Sequence, residues 1–125
     1  MASAQQGRRV LVVEDEAMVS MLIEDMLGEL GHEVVATAAR LDEAMELARL
    51  SEVDLAILDV NLGGKTSQPV AALLQIRRIP FLFASGYDAN ALDPPYRYAP
   101  VVQKPFQMSE LTEAIGKALA QYGAA

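Results

Sequence analysis

Charged and polar residues directly follow four of the five short apolar runs in this sequence. They are Glu14 and Asp15 after the first run, Asp59 and Asn61 after the third, Ser85 and Gly86 after the fourth, and Lys104 and Pro105 after the fifth. If the runs are strands of one parallel sheet, their carboxyl ends lie near one another, and open α/β sheets bind ligands there. The spacing therefore predicts one site with three carboxylates, a hydroxyl and an ammonium group.

Three carboxylates at one edge indicate a metal ion. Two carboxylates about 4 Å apart repel each other by a few kcal/mol in a protein-like dielectric. Such a cluster stays ionised only if a cation lies among its members. Ligation by oxygen atoms alone, with room for water and a phosphoryl oxygen, is typical of Mg²⁺.

Magnesium, a hydroxyl and an ammonium around one further carboxylate form a phosphoryl-transfer site. The metal and Lys104 would neutralise the oxygens of the group in transfer while Asp59 attacks in line, with Ser85 beside them. No separate base is needed, because a carboxylate is already deprotonated near neutral pH. We therefore predict that Asp59 is a phosphoacceptor.

Each of these residues also has an ordinary structural interpretation. Asp15 alone would serve as the cap of a helix that begins at Glu16, where an acidic residue favours the helix dipole. Asp59 or Ser85 alone would be a turn residue, and Lys104 alone a solvated charge. Their joint placement after four strands is what favours a site.

The pattern between these residues predicts an α/β fold. We expect strands at 9–13, 33–38, 55–58, 81–84 and 101–103, and helices at 16–30, 41–50 and 69–78, with a last helix that carries Leu111, Ile115, Leu119 and Tyr122 on one face. Apolar strands that alternate with helices indicate a parallel sheet covered on both faces.

Some local features carry expectations of their own. Gly31 is placed to end the first helix in a left-handed conformation. We expect His32 to be a surface turn residue and not a ligand, and the methionines to pack in the core. In the stretch 86–99 we expect a short, loosely packed helix near 89–92, followed by a loop.

Composition narrows the class of protein. The 125 residues carry a net charge of −7, contain no cysteine and are 52% hydrophobic. That charge argues against nucleic-acid and anionic-membrane binding, and the lack of cysteine excludes disulfides and thiolate metal sites. The polar N-terminus lacks the apolar stretch of a signal peptide, and no apolar run is long enough to span a bilayer. We expect a cytoplasmic domain at 8–122 with flexible termini at 1–7 and 123–125.

The segments VLVVEDE, LAILDVNLGG, FLFASGYD and VVQKPF, in this order, resemble the receiver domain of bacterial response regulators over about residues 8–122. The resemblance implies a flavodoxin-like (βα)5 fold with strand order 2-1-3-4-5. It also implies the site roles: Asp59 as phosphoacceptor, Glu14 and Asp15 as metal ligands with Asp59 itself, the backbone carbonyl of Asn61 as a further ligand, and Ser85 and Lys104 as contacts of the phosphoryl group. Pro105 matches a proline that follows a cis peptide bond in the family, which would direct Lys104 inward.

One position departs from most receivers, which carry Tyr or Phe three residues before the lysine. Here that residue is Val101. Together with FASGY, this resembles the subgroup nicknamed "FAT GUY", in which Thr is usual at the position of Ser85. The usual Thr–Tyr switch is then in doubt, so we expect switching to involve Ser85, Gly86, Tyr87, Val101 and Pro105 through ordering of residues 86–99.

The resemblance implies a histidine kinase or histidine phosphotransfer protein as the phosphodonor. No output domain is recognisable after residue 122, so we expect the signal to leave by contact with another protein, or the chain to act as a phosphate sink. The acidic charge and the absence of an apolar span predict neither nucleic acid nor membrane as a partner.

Two rival functions keep a similar framework. A haloacid-dehalogenase-like phosphatase also forms an aspartyl phosphate with magnesium and a lysine, but it needs a second acid two residues after the nucleophile, where Asn61 stands here. Its nucleophile also usually follows the first strand rather than the third. A flavodoxin-like nucleotide or flavin domain would be a binding module, but the sequence has no G-x-G-x-x-G loop.

Overall fold

The computed structural model describes residues 7–86, Tyr96 and residues 99–122. The strands are β1 (Arg9–Val13), β2 (Glu33–Ala38), β3 (Leu55–Asp59), β4 (Asn61–Leu62), β5 (Lys65–Thr66), β6 (Phe81–Ser85) and β7 (Val101–Gln103). The helices are α1 (Ala17–Glu29), α2 (Leu41–Leu50), α3 (Gln68–Ile76) and α4 (Met108–Leu119), with a 3₁₀ turn at Ala120–Tyr122.

Five strands form one parallel sheet in the order β2-β1-β3-β6-β7. Counted among the parallel strands alone, this is the order 2-1-3-4-5, so the predicted flavodoxin-like fold is confirmed. The order reverses between β1 and β3, and Asp59 at the end of β3 lies beside that point.

Both faces of the central strands are buried, which explains why the strands are continuous apolar runs rather than alternating ones. Leu11 and Val13 of β1 face one core cluster with helices α2 and α3, while Val10 and Val12 face a second cluster with α1 and α4. The two clusters fix β1 and β3 from both sides, and the carboxyl ends of these strands are therefore held rigidly.

The segment after β3 forms a two-stranded sheet that was not among the strands expected from the sequence. Asn61 pairs with Thr66 and Leu62 with Lys65 in an antiparallel hairpin, and the amide of Ser67 donates to the carbonyl of Val60 at 2.9 Å. Its two turn residues, Gly63 and Gly64, have φ of 57° and 90°. Positive φ at both positions of a two-residue connection is a type I′ turn, which glycine adopts without strain.

Helix α1 ends as predicted at Gly31, whose φ is 89°. The amide of Gly31 donates to the carbonyl of Gly28 and the amide of His32 to the carbonyl of Leu27, which together make a Schellman motif. The expectation that His32 lies at the surface was wrong, because only 8% of the residue is exposed. Its Nδ1 accepts the amide hydrogen of Arg8 at 3.2 Å. In this motif the residue after the glycine packs back on the helix, and this draws the imidazole inward.

The methionines do not all pack in the core. Met26 is buried, but Met18 is 84% and Met21 62% exposed on the outer face of α1. The apolar residues of α1 occupy more than one helical stripe, so helical spacing alone could not distinguish its inner face.

Part of the stretch 86–99 lies outside the described residues, including the expected helix near 89–92 and Tyr87. Tyr96 is described, and its half-buried ring meets the edge of Phe83 with 6.2 Å between centroids.

At the N-terminus, the amide of Gly7 donates to the carbonyl of Gly31 at 3.0 Å, and the rest of the two expected termini lies outside the described residues. Within the described part of the chain, no helix has the length and apolar character needed to cross a bilayer.

Candidate functional site

One open cleft of about 460 Å³ lies at the carboxyl ends of the parallel strands. Its lining includes Asp15, Glu16, Asp59, Val60, Asn61, Gly63, Gly64, Ser85, Gly86 and Lys104. The turns that follow β1, β3, β6 and β7 therefore all contribute to it, which is the convergence that the spacing predicted.

Three carboxylates meet beneath this cleft. An oxygen of Glu14, one of Asp15 and one of Asp59 all lie within 4.8 Å of one another. Glu14 and Asp59 are buried, with 3% and 7% of each residue exposed, whereas Asp15 is exposed at the rim. Two of the three carboxylates thus lie inside the protein, and the third lies where solvent can reach it.

Lys104 lies between two of these carboxylates. Its Nζ is 2.5 Å from Oε1 of Glu14 and 3.2 Å from Oδ2 of Asp59. Its own amide donates to the carbonyl of Ser85 at 2.8 Å, so the backbone just after β7 is hydrogen-bonded to the end of β6. The Lys104–Pro105 peptide bond is cis, as the resemblance implied.

The protonation of this pair follows from its surroundings. Burial raises the pKa of Glu14 above its usual range, and hydrogen bonds from Lys104 and from the amide of Glu16 offset part of that rise. Burial alone would lower the pKa of Lys104, but the hydrogen bond to Glu14 and the charge of Asp59 outweigh it and raise that pKa. The ammonium therefore stays charged inside the cluster.

Asp15 does not cap helix α1. The N-cap position is Glu16, whose side chain makes no capping hydrogen bond, and the amide of Glu16 donates to Oε2 of Glu14 rather than to Asp15. Oδ2 of Asp15 instead accepts the amide hydrogen of Gly63 at 3.1 Å, across the cleft in the hairpin turn. The simple capping interpretation of Asp15 is therefore wrong.

Asn61 contributes to the site through its backbone and to the hairpin through its side chain. Its amide donates to Oδ1 of Asp59 at 3.2 Å, and its Oδ1 accepts the amide hydrogen of Gly64 at 2.9 Å. Both oxygens of Asp59 thus have a donor, one from Asn61 and one from Lys104.

Of the positions expected to take part in switching, Ser85 and Gly86 line the cleft. Ser85 is buried at the end of β6, and Gly86 is exposed with open space around its α-carbon. Val101 is half-buried on β7, in register with Phe83. Tyr87 lies outside the described residues.

The donor chemistry fits Mg²⁺. The three clustered side chains offer only carboxylate oxygens, and one face is open for water, as this hard cation requires. Lys104 already balances part of the negative charge, but one ammonium cannot neutralise three carboxylates. The residues that would hold the ion are Glu14, Asp15 and Asp59.

Sequence reasoning missed the part played by the hairpin turn. Gly63 and Gly64 line the cleft, and both of their amides are bound by side chains that the sequence had already marked, Asp15 and Asn61. A signal was present, since Gly-Gly between two short segments is a known type I′ hairpin sequence. The segments Asn61–Leu62 and Lys65–Thr66 were too short to stand out as strands.

Comparison with known proteins assigns the family. The model of the "Response regulator receiver domain" matches residues 10–116. "Transcriptional regulatory protein PdtaR" of Mycobacterium tuberculosis is 35% identical over 97% of this chain, which spans only 61% of that protein. A solution structure of SdrG from Sphingomonas melonis Fr1 is 39% identical with a TM-score of 0.83 and covers 94% of this chain and 100% of its own. A BeF3-activated conformation of SdrG is 40% identical with a TM-score of 0.77, over 96% and 100% of the two chains. With its sheet order, its acidic cluster and these matches, the chain belongs to the response regulator receiver domain family.

Proposed function

We propose that Asp59 accepts a phosphoryl group from a phosphohistidine of a histidine kinase or histidine phosphotransfer protein, with Mg²⁺ as cofactor. The observation that carries this proposal is that Asp59 lies beside the ammonium of Lys104 and within 4.8 Å of carboxylate oxygens of Glu14 and Asp15. A buried aspartate that has an ammonium group and further carboxylate oxygens as close neighbours suits phosphoryl transfer, which depends on positioning and charge neutralisation.

Each residue of the site would have a separate role in phosphoryl transfer. A carboxylate oxygen of Asp59 forms a bond to phosphorus while the bond from phosphorus to the donor's histidine nitrogen breaks, and that nitrogen keeps the electron pair. Glu14, Asp15 and Asp59 would hold the Mg²⁺ together with the backbone carbonyl of Asn61, and the ion would neutralise the phosphoryl oxygens. Ser85 and Lys104 are placed to bind those oxygens on the product.

Lys104 would have to change partners during this reaction. Its Nζ is held by Glu14 before transfer, and a phosphoryl group on Asp59 would compete for it with more negative charge. A lysine that moves from Glu14 toward Asp59 pulls on the end of β7 and, through its amide, on the carbonyl of Ser85. This is how phosphorylation would be passed from the cleft to the fold.

The receiver unit that we propose runs over residues 8–122, which include the five-stranded sheet, the helices that cover it and the β4-β5 hairpin at its edge. Its partners would be a cytoplasmic phosphodonor and a downstream protein, with phosphate-sink behaviour as the alternative output. The BeF3-activated conformation described for SdrG supports activation of the same type here.

Incubation with acetyl phosphate, with and without Mg²⁺, tests this function by intact-mass measurement. We expect a single phosphoryl adduct that depends on Mg²⁺ and that decays after the donor is removed. Continuous hydrolysis of an unrelated phosphoester would favour the phosphatase instead. If neither an adduct nor turnover is observed, only the binding module remains.

A further inference from the structure

The hairpin that follows β3 makes three side-chain hydrogen bonds, two of them to the acidic cluster. The amide of Asn61 donates to Asp59, the amide of Gly63 donates to Asp15, and the side chain of Asn61 accepts the amide of Gly64. The first two bonds end on carboxylates that would hold the metal. The third closes the hairpin itself.

The bond from Gly63 is the only one of these three that reaches the far side of the cleft. Asp15 precedes α1 and is exposed, so nothing in its burial fixes the side chain, and no capping bond to α1 holds it either. Its Oδ2 is held instead by the Gly63 amide at 3.1 Å, 48 residues away in the chain. This leaves the other carboxylate oxygen available to a cation.

The turn presents this amide only because of its backbone conformation. Gly63 and Gly64 both have positive φ, which directs the amides of the type I′ turn as observed. The base of the hairpin is firmly held, since Leu62 is 4% exposed in the core and Ser67 bonds to Val60. The Gly63 amide is therefore a fixed donor on a rigid support.

We propose that Gly63 is a positioning residue of the metal site, which orients Asp15 through its amide. Hydrogen bonds to ligating carboxylates are part of metal sites, and their loss typically weakens metal binding by 10–100-fold. The inference rests on the proposed function in one respect, that Asp15 binds Mg²⁺. It follows by reciprocity that Mg²⁺ binding and the order of the hairpin stabilise each other.

Two substitutions at one position test the proposal. Gly63→Val places a β-branched residue at φ of 57°, a conformation that such residues essentially do not adopt, whereas Gly63→Asn keeps a residue that tolerates it. Neither new Cβ meets another atom within 4 Å, so the two variants differ in turn geometry and not in steric clash. Both retain the amide hydrogen.

The readout is the Mg²⁺ dissociation constant from NMR titration, with the fold of each variant verified from the same spectra. We expect Gly63→Val to weaken binding about tenfold and Gly63→Asn to stay within about twofold of the unaltered chain. Equal affinity in all three would overturn the positioning role while leaving the metal site intact. Absence of Mg²⁺ binding by the unaltered chain would overturn the proposed function as well.

A second measurement needs no metal. In Asp15→Ala, the Gly63 amide loses its acceptor and should exchange with solvent faster, while the neighbouring Gly64 amide, bonded to Asn61, should be unchanged. Unchanged exchange at Gly63 would contradict the proposal.

Discussion

The ammonium of Lys104 is closer to Glu14 than to Asp59, at 2.5 Å against 3.2 Å. The side chain of Glu14 is 1% exposed, so this carboxylate is almost fully removed from water and Lys104 is its charge partner. Before phosphorylation, the lysine thus serves the stability of the metal-free site. A phosphoryl group on Asp59 would draw it away from that role.

Lys104→Ala should destabilise the metal-free protein by about 2 kcal/mol. Removal of one partner of a buried ion pair leaves the other charge uncompensated. We expect a smaller loss of stability than is usual for such a pair, because Lys104 is partly exposed and Glu14 can take up a proton. Saturating Mg²⁺ should reduce the loss, since the ion supplies charge to the same carboxylates. Urea unfolding followed by circular dichroism measures both values. The control is Lys117→Ala, which removes a surface pair with Glu113 and should change stability by under about 0.5 kcal/mol; a Lys104 variant no worse than this control would count against the pairing.

Phosphorylation should act mainly on residues 86–99. Val101 stands where an aromatic residue would otherwise report the phosphoryl group, and Lys104 and Ser85 are joined by a backbone hydrogen bond next to Gly86. We therefore expect beryllofluoride to increase hydrogen-exchange protection in 86–99 more than elsewhere. Within this stretch the half-buried ring of Tyr96 packs against Phe83, so presentation of this ring to a partner would require it to leave Phe83. If residues 86–99 are already as protected as the central strands without beryllofluoride, the hypothesis that phosphorylation orders this stretch is wrong.

His32 should make stability depend on pH below neutrality. Burial, and then the charge of Arg8, lower the pKa of His32 below its usual value, so the folded state favours the neutral ring. The unfolded chain then binds a proton first as pH falls through about 6.5. Stability from this group is complete above that pH and declines below it, toward the lowered pKa of the folded state. Since the chain has one histidine, His32→Gln should remove this slope between about pH 7.5 and 5.5. A direct NMR titration of the ring that gave an unshifted or raised pKa would refute this account.

Arg78 occupies a left-handed conformation that normally favours glycine. Its φ is 56°, and the amides of Arg78 and Ile79 bond back to Gln75 and Leu74 in a Schellman motif at the end of α3. Its guanidinium also lies 5.1 Å from the ring centroid of Tyr122. Arg78→Gly and Arg78→Ala both lose that contact, but only glycine relieves the backbone, so the glycine variant should be about 1 kcal/mol more stable than the alanine variant. Equal stabilities in chemical denaturation would show that the backbone there is not strained.

The sheet could be predicted from the sequence because its strands are buried on both faces. Continuous apolar runs such as 10–13 and 55–58 predict strands of a parallel sheet, and the polar residues after them lie at the edge that holds the cleft. The cluster around Asp59 followed from this rule alone, before any side-chain position was known.

What the sequence could not give depends on contacts between distant segments. The Asp15–Gly63 bond joins residues 48 positions apart, and neither residue indicates its partner by type or spacing. The hydrogen bond between the amide of Arg8 and His32 joins residues 24 positions apart, and the exposure of Met18 depends on how α1 is rotated against the sheet. Such features are decided by packing, which local patterns do not contain.

The central claim is that Asp59 is the phosphoacceptor, and intact-mass measurement with acetyl phosphate and Mg²⁺ tests it most directly. The unaltered chain should gain one phosphoryl group, and Asp59→Asn should gain none, because an amide is a poor nucleophile and a weaker metal ligand. The matched control is Asp54→Asn at the opposite end of the same strand region, where the carboxylate pairs with Arg9 and should not affect labelling. A phosphoryl adduct on Asp59→Asn equal to that on the unaltered chain would contradict the account.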